Sequence, residues 1–506
     1  MGKGKRARIE RQNAVDPKAA EKAQALKTQK TNKLLGGIVG VIVALLLVFG
    51  IVISAVSASG VFLRGATAAS SANFSVDGTM MSYFLKSNYY TFVNQMGDYL
   101  SYFNLDTSLP LKTQSYSDTQ TWFTYFADQA KTSVEELLVL CEAANAAGMS
   151  IQDEEVQTIV DNYMESLKNN AKENGMSKKQ YIANVYGEGV KEKDLRAAIE
   201  ISALASVYQE QVLASFTYTD ADLEAYYSEN ENSFKTVDYK SYTYYSTIPE
   251  GSSDEVTAEI NAVTKAKADA LAANTTPSSF DAYLLDELTT DATTEEDAVK
   301  NEETVAATLT EGAAYIEGDA AMEWAFDASR KVNDTYVAEG DNSYTVYLLT
   351  STAARDDSLT KNVRHILIYT TDYESAEAAK AEADRILAEW QAGDKTEDSF
   401  AALAEQYSGD TGSNTNGGLY ENVRGGDMVE TFDAWLFDSA RAAGDTGVIE
   451  SEYGYHVMYF VGDGKIAWKA DVESAKLSED YEAAYAAEAE KYTVTFDDNA
   501  INKIDA

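Results

Sequence analysis

The chain of 506 residues contains two histidines, His365 in "KNVRHILIYT" and His456 in "EYGYHVMYFVG". Histidine is the side chain most easily set to work near neutral pH. Two of them inside apolar, strand-like runs therefore admit two readings: a working pair, or two unrelated core residues. Two histidines cannot supply a three-ligand zinc site without carboxylates, and no HExxH, GxSxG or phosphate-binding loop is present. The acidic run "TTDATTEEDAVKNEE" lacks the ordered ligand spacing of a dedicated calcium loop. No metal or cofactor is expected.

The elements that must carry the histidines occur twice. One tract opens with "VDYKSYTYYSTI", continues through an Ala-rich helix and "SSFDAYLLDE", and closes with "MEWAFDASRKVNDTYVAEGDNSYTVYLLTS". The other opens with "VRHILIYTT", continues through "ESAEAAKAEADRILAEWQAG" and "SFAALAEQYSGD", and closes with "FDAWLFDSARAAGDTGVIESEYGYHVMYFVG". Trp324, Phe326 and Asp327 match Trp435, Phe437 and Asp438, as a tandem duplication requires. Strands alternating with helices give α+β units with helices packed on a small sheet. In this register the first copy has Tyr239 where the second has His365, and Thr345 where the second has His456. Both histidines are lost together, which favours a working pair over two packing residues.

The second tract resembles the parvulin-type peptidyl-prolyl isomerases over about 361–463. "RHIL", "SFAALAEQYSGD", "NGG", "GGDMVETFDAWLF", "GDTG" and "YGYHVMYF" fall in the family's order. The resemblance implies that His365 and His456 sit on neighbouring central strands and hydrogen-bond to each other, with Asp410 near the rotating carbonyl. It also implies a cup for the proline ring made by Leu419, Met428 and Phe432, the last two sharing a helix face, and a hydroxyl supplied by Ser451 or Tyr453. Gly417 and Gly418 read as turn geometry and Arg424 as a solvated loop residue. Tyr420 stands where many relatives have Gly after the leucine. The loop "YTTDYES" lacks the basic cluster of phosphate-reading parvulins.

The remaining sequence positions this module. Met1–Lys33 holds ten Lys or Arg against three acidic residues, a local charge of +7, so the rest of the chain carries −48 of the total −41. Such a surface repels nucleic acid and anionic lipid. Residues 34–56, "LLGGIVGVIVALLLVFGIVISAV", form a charge-free run long enough to cross a bilayer as a helix. The basic flank places 1–33 in the cytoplasm and the remainder outside. A cleaved signal peptide is the competing reading. A linker, 57–77, then leads to a helical domain, 78–235. There Val134, Leu137, Leu138, Cys141 and Ala144 share a face, Gly148 stops that helix, and Ser150 and Ser177 open the next two.

The expected architecture is multidomain, α and α+β. It comprises a transmembrane helix, a helical domain like the N-terminal chaperone part of SurA, a degenerate parvulin-like module (236–352), a parvulin module (361–463), both of βαααββ type, and a C-terminal helix (464–506) returning to the helical body. With the anchor, this looks like the extracellular foldases of the PrsA and SurA type, although the lipid-anchoring cysteine typical of PrsA proteins is missing. The implied function is a membrane-anchored, extracytoplasmic peptidyl-prolyl isomerase and chaperone acting on newly exported polypeptides with Xaa-Pro bonds, as a monomer or homodimer. The alternative is a non-catalytic holdase that uses both modules as scaffold.

Overall fold

The computed structural model describes residues 60–290 and 294–504. The expected cytoplasmic tail and the span 34–56 lie outside the described residues. Among the described residues, no helix is long and apolar enough to cross a membrane. The chain divides into two compact units, one of residues up to Phe216 with Asp480 onward, the other Thr217–Glu479.

The first unit is built on five helices, α1 (Gly78–Met96), α2 (Trp122–Ala146), α3 (Glu154–Glu173), α4 (Lys178–Tyr186) and α5 (Glu192–Ser215). In α2 the residues Val134, Leu138, Cys141 and Ala144 are buried, and Gly148 follows the helix end in a left-handed conformation. The Cys141 thiol donates to Ile201 O at 3.2 Å, and burial pushes its pKa up to about 12, so it is an inert core residue. Ser177 closes a capping box with Gln180, whereas α3 starts later than expected, with Asp153 rather than Ser150 at its N-cap. The expected linker is also partly structural. Strands β1 (Thr67–Ser70) and β2 (Ser75–Asp77) bury Ala68, Ala69 and Val76, and Thr495–Phe496 pair with β1. Buried Glu142 accepts from Ser71 Oγ, Asn73 N and Asn73 Nδ2, tying this N-terminal segment to α2. Ala500, Ile501 and Ile504 enter the same core.

The second unit opens with α6 (Asp220–Glu229) and contains two sheets. The first module runs β3 (Lys235–Tyr245), α7 (Asp254–Ala272), α8 (Pro277–Thr289), α9 (Glu295–Ala306), β4 (Leu309–Ala314), α10 (Ala320–Ala325), β5 (Thr335–Gly340) and β6 (Ser343–Leu349). After β7 (Ala354–Arg355), the second runs β8 (Leu359–Tyr369), α11 (Ala376–Ala392), α12 (Glu397–Tyr407), β9 (Leu419–Val423), α13 (Glu430–Leu436), β10 (Thr446–Glu450) and β11 (Gly454–Ile466), and α14 (Ala467–Ala489) follows. Both sheets are antiparallel with one order, β5-β6-β3-β4 and β10-β11-β8-β9. Each module therefore has a fourth strand that the βαααββ expectation lacked, and the first module also has a fourth helix, the short α10. The second keeps the expected three helices, with α11 and α12 ahead of β9 and α13 after it. β9 is five residues, "LYENV", without a β-branched run, and follows two left-handed glycines, so its sequence reads as loop.

Between the modules, Arg355 lies 4.1 Å from the Trp468 ring centroid and 5.0 Å from that of Tyr227, and its Nη1 reaches both Glu224 carboxylate oxygens at 2.9 and 3.0 Å. Leu223, Tyr227, Trp468 and Val472 form the small core beneath it.

Candidate functional site

β8 and β11 are the two central strands of the second sheet, so residues on them are buried by sheet neighbours on both sides. His365 stands opposite Met458 and His456 opposite Leu367, which makes the two imidazoles diagonal neighbours on one face. That face packs Val363, Met458 and Phe460 against Phe432 and Leu436 of α13, while Ile366, Ile368, Tyr455 and Val457 pack on the other face with α11 and α12. His365 is 4% and His456 5% exposed.

The polar atoms form a continuous chain. Asp410 Oδ2 lies 2.8 Å from His365 Nε2, His365 Nδ1 lies 3.1 Å from His456 Nδ1, and His456 Nε2 lies 2.7 Å from Ser451 Oγ. An ionised carboxylate only accepts, so His365 Nε2 carries a proton. With both rings neutral, His365 Nδ1 accepts from His456 Nδ1–H, and His456 Nε2 accepts from the Ser451 hydroxyl. Every tautomer is thereby set by one anion at the end of the chain. Asp410 also accepts from Tyr420 OH at 2.9 Å, from Ser413 Oγ, and from Gly412 N at 3.1 Å. The hydrogen bond from His365 holds the Asp410 carboxyl well below the usual range against the opposing effect of burial, with help from Ser413 and Tyr420. Burial, and next the neighbouring His365, depress the His456 imidazolium from 6.5 to about 4, so this ring is neutral at pH 7.

Apolar groups flank the imidazoles. The Phe432 ring meets His365 and His456 edge-on, with centroids 5.5 and 5.6 Å away, and Met428 packs in the same cluster. Met428 precedes α13, whose N-cap is Val429, so the two residues do not share a helix face as expected. Leu419 also departs from expectation. It pairs with Arg364, whereas Tyr420 pairs with Val363, so strand alternation turns Leu419 to the opposite face and brings Tyr420 to the site. The Tyr420 ring centroid is 5.4 Å from that of His365. Tyr453 is 54% exposed and its phenol takes no part in the histidine chain, its backbone N instead donating to Ser451 Oγ at 3.2 Å; Ser451 supplies the hydroxyl. Arg424 is not a solvated loop residue: it pairs with Asp471 and donates to Ala467 O. Sequence reasoning missed Ser413 and the role of Tyr420. The spacing Asp410-x-x-Ser413 in a tight turn was the available signal for the first.

The first module corrects one register. Asn333 N and Leu349 N bond Leu349 O and Asp334 O, just as Gly444 N and Phe460 N bond Phe460 O and Asp445 O. Leu349 thus corresponds to Phe460, and Thr345 to His456. On the other side, Ser241 N donates to Thr308 O as His365 N donates to Gly418 O, both at 2.8 Å. Tyr347 opposes Ser241 as Met458 opposes His365. The counterpart of His365 is therefore Ser241, two residues from Tyr239. A two-residue slip preserves side-chain alternation, which is why periodicity could not detect it. By the same register Phe432 corresponds to Ala321 and Ser451 to Gly340, and Thr243 Oγ1 and Thr345 Oγ1 share a 2.9 Å hydrogen bond where the imidazole pair would begin.

The site is thus a buried dyad of histidines on a four-stranded antiparallel sheet, hydrogen-bonded to a carboxylate and bordered by apolar rings. Residues 346–462 match the family described as the PPIC-type PPIASE domain, so the chain contains a parvulin-type domain. The chain is 35% identical over 99 residues to Foldase protein PrsA 1 of Listeria innocua, covering 20% of this chain and 29% of that protein. It is 39% identical over 100 residues to Chaperone SurA of Chromohalobacter salexigens, covering 19% of this chain and 21% of that protein. The chain thus aligns with less than a third of the length of these curated relatives. The crystal structure of PrsA from Bacillus subtilis aligns with 60% of this chain and 86% of that one at 16% identity and a TM-score of 0.19.

Proposed function

We propose that the chain is a membrane-anchored, extracytoplasmic peptidyl-prolyl cis-trans isomerase and chaperone that acts on newly exported polypeptides. The observation that carries this reading is the Asp410–His365–His456–Ser451 chain beneath Phe432, Met428 and Tyr420. Rotating an Xaa-Pro bond requires lowering a barrier of about 18–20 kcal/mol without making or breaking a covalent bond. A site can do so by gripping the ring and favouring the twisted amide, whose carbonyl has lost conjugation with nitrogen. Phe432, Met428 and the Tyr420 ring supply the apolar grip. The histidine chain supplies a fixed polar floor whose donors and acceptors do not reorganise during rotation. Anchoring rests on residues 34–56, and capture of unfolded segments is assigned to the helical unit.

Exchange NMR with an Ala-Xaa-Pro-Phe peptide and the full chain tests the enzyme reading, which predicts cross-peaks between cis and trans signals at catalytic protein concentration. Exchange no faster than that of the free peptide removes it. The holdase alternative is favoured by one observation, the exposed Tyr99, Tyr102, Phe103 and Leu109 of the helical unit, which offer adaptable apolar contact. Suppressed aggregation of an unfolded client with no peptide exchange would select that reading.

A further inference from the structure

Asp410 Oδ2 is reached by donors from three segments: His365 Nε2 on β8, Ser413 Oγ in the turn after Asp410, and the Tyr420 phenol on β9. We propose that Tyr420 is a positioning residue of the isomerase site, its O–H holding the Asp410 carboxylate against His365 and keeping the histidine chain polarised toward Asp410. The proposal rests on the isomerase reading for its purpose, but its geometry stands independently.

The groups that face Asp410 are His365 from β8, His456 behind it from β11, Tyr420 from β9, and Ser413. Tyr369 at the end of β8 packs its ring against Gly409, and Arg364 turns to the opposite face, where its Nε donates to Glu397 at 2.9 Å. Besides His365, the side-chain donors to Asp410 are two hydroxyls. A Phe at 420 would fill the same wall, so the ring alone does not account for the hydroxyl at 2.9 Å. Burial, and next the nearby carboxylate, raise the phenol's pKa, so Tyr420 remains a donor throughout the neutral range.

Each donor on Oδ2 lowers the carboxylate's basicity. Without the Tyr420 O–H, Asp410 draws more strongly on the imidazole pair, and the pair takes up an additional proton at higher pH. That proton reverses the chain: His365 Nδ1 then donates to His456, His456 Nε2 donates to Ser451, and Ser451 changes from donor to acceptor. Tyr420 therefore sets the lower pH limit of the working tautomer state.

Because the chain has two histidines, labelling with ring-15N histidine gives four nitrogen signals to follow from pH 4 to pH 9 in the full chain. Tyr420→Phe is expected to raise the midpoint of the imidazole pair by about one pH unit, the size of one hydrogen bond to a charged acceptor. The acid limb of kcat/KM should move with it. A fluorinated tyrosine at 420, a stronger donor of nearly the same shape, is expected to move the midpoint downward. Midpoints unchanged in both proteins, or moved in the same direction, would overturn the proposal and leave Tyr420 as a wall residue. If peptide exchange is absent in every protein while the midpoints move as stated, the positioning claim holds and the isomerase reading falls.

Discussion

His365 Nδ1 and His456 Nδ1 lie 3.1 Å apart across neighbouring antiparallel strands, close enough that one must donate and the other accept. Asp410, 2.8 Å beyond His365 Nε2, decides which. Removing either ring breaks the chain and leaves a buried nitrogen without its partner. His365→Ala and His456→Ala are each expected to lower kcat/KM by about tenfold to a hundredfold, corresponding to a lost buried hydrogen bond of 1–3 kcal/mol. Exchange NMR on the two variants checks this, and an unchanged rate in either would remove that histidine from the site.

Stability should depend on pH through His456. Its ordinary pKa of 6.5 falls to about 4 on folding, so between those values the unfolded chain binds a proton that the folded one refuses. Folding free energy is therefore lost as pH falls from 6.5 to 4, by up to about 3 kcal/mol. Asp410 acts in the same direction over a lower window: its depressed pKa contributes stability that is present above its unfolded value and lost as pH falls below it, so the two windows separate near pH 4. His456→Thr, the residue that the first module carries at Thr345, should abolish the loss in the upper window. Urea midpoints measured at pH 7, 5.5 and 4.5 for both proteins provide the comparison.

Gly418 is expected to be intolerant although it has no side chain to contribute. Its φ is +71°, and a Cβ there would lie 2.1 Å from His365 O. Gly418→Ala must push β9 away from β8 at the bond from His365 N to Gly418 O. The expected cost exceeds about 1 kcal/mol, with a fall in activity from displaced Tyr420. Thermal unfolding together with exchange NMR distinguishes this from a neutral loop change.

Restoring two histidines to the first module should not create activity. Ser241→His with Thr345→His, placed in the His456→Ala background, recovers the dyad positions but faces Ala321 instead of Phe432 and Gly340 instead of Ser451. Peptide exchange should stay at the His456→Ala level. A recovered rate would show that the imidazole pair alone suffices.

Much of this site could be read from residue types and order. The duplicated tracts and the helical segment before them follow from long, strongly periodic elements, whose inward face is dictated by burial, while the placement of Asp410, Phe432 and Ser451 beside the two histidines is what the family resemblance implies. Three features needed the folded chain. The counterpart of His365 is Ser241 and not Tyr239, because a shift of two residues leaves the alternation of a strand unchanged. Tyr420 and not Leu419 faces the site, because β9 is short and its face is set by where pairing resumes after Gly417 and Gly418, both in left-handed conformations. Asp410 gathers donors from β8, β9 and its own turn, and that convergence of distant segments on one oxygen has no linear signature. Sequence by itself determined which residues could do the chemistry; tertiary pairing decided which of them share a face, because side-chain direction in a strand depends on its register with its neighbours.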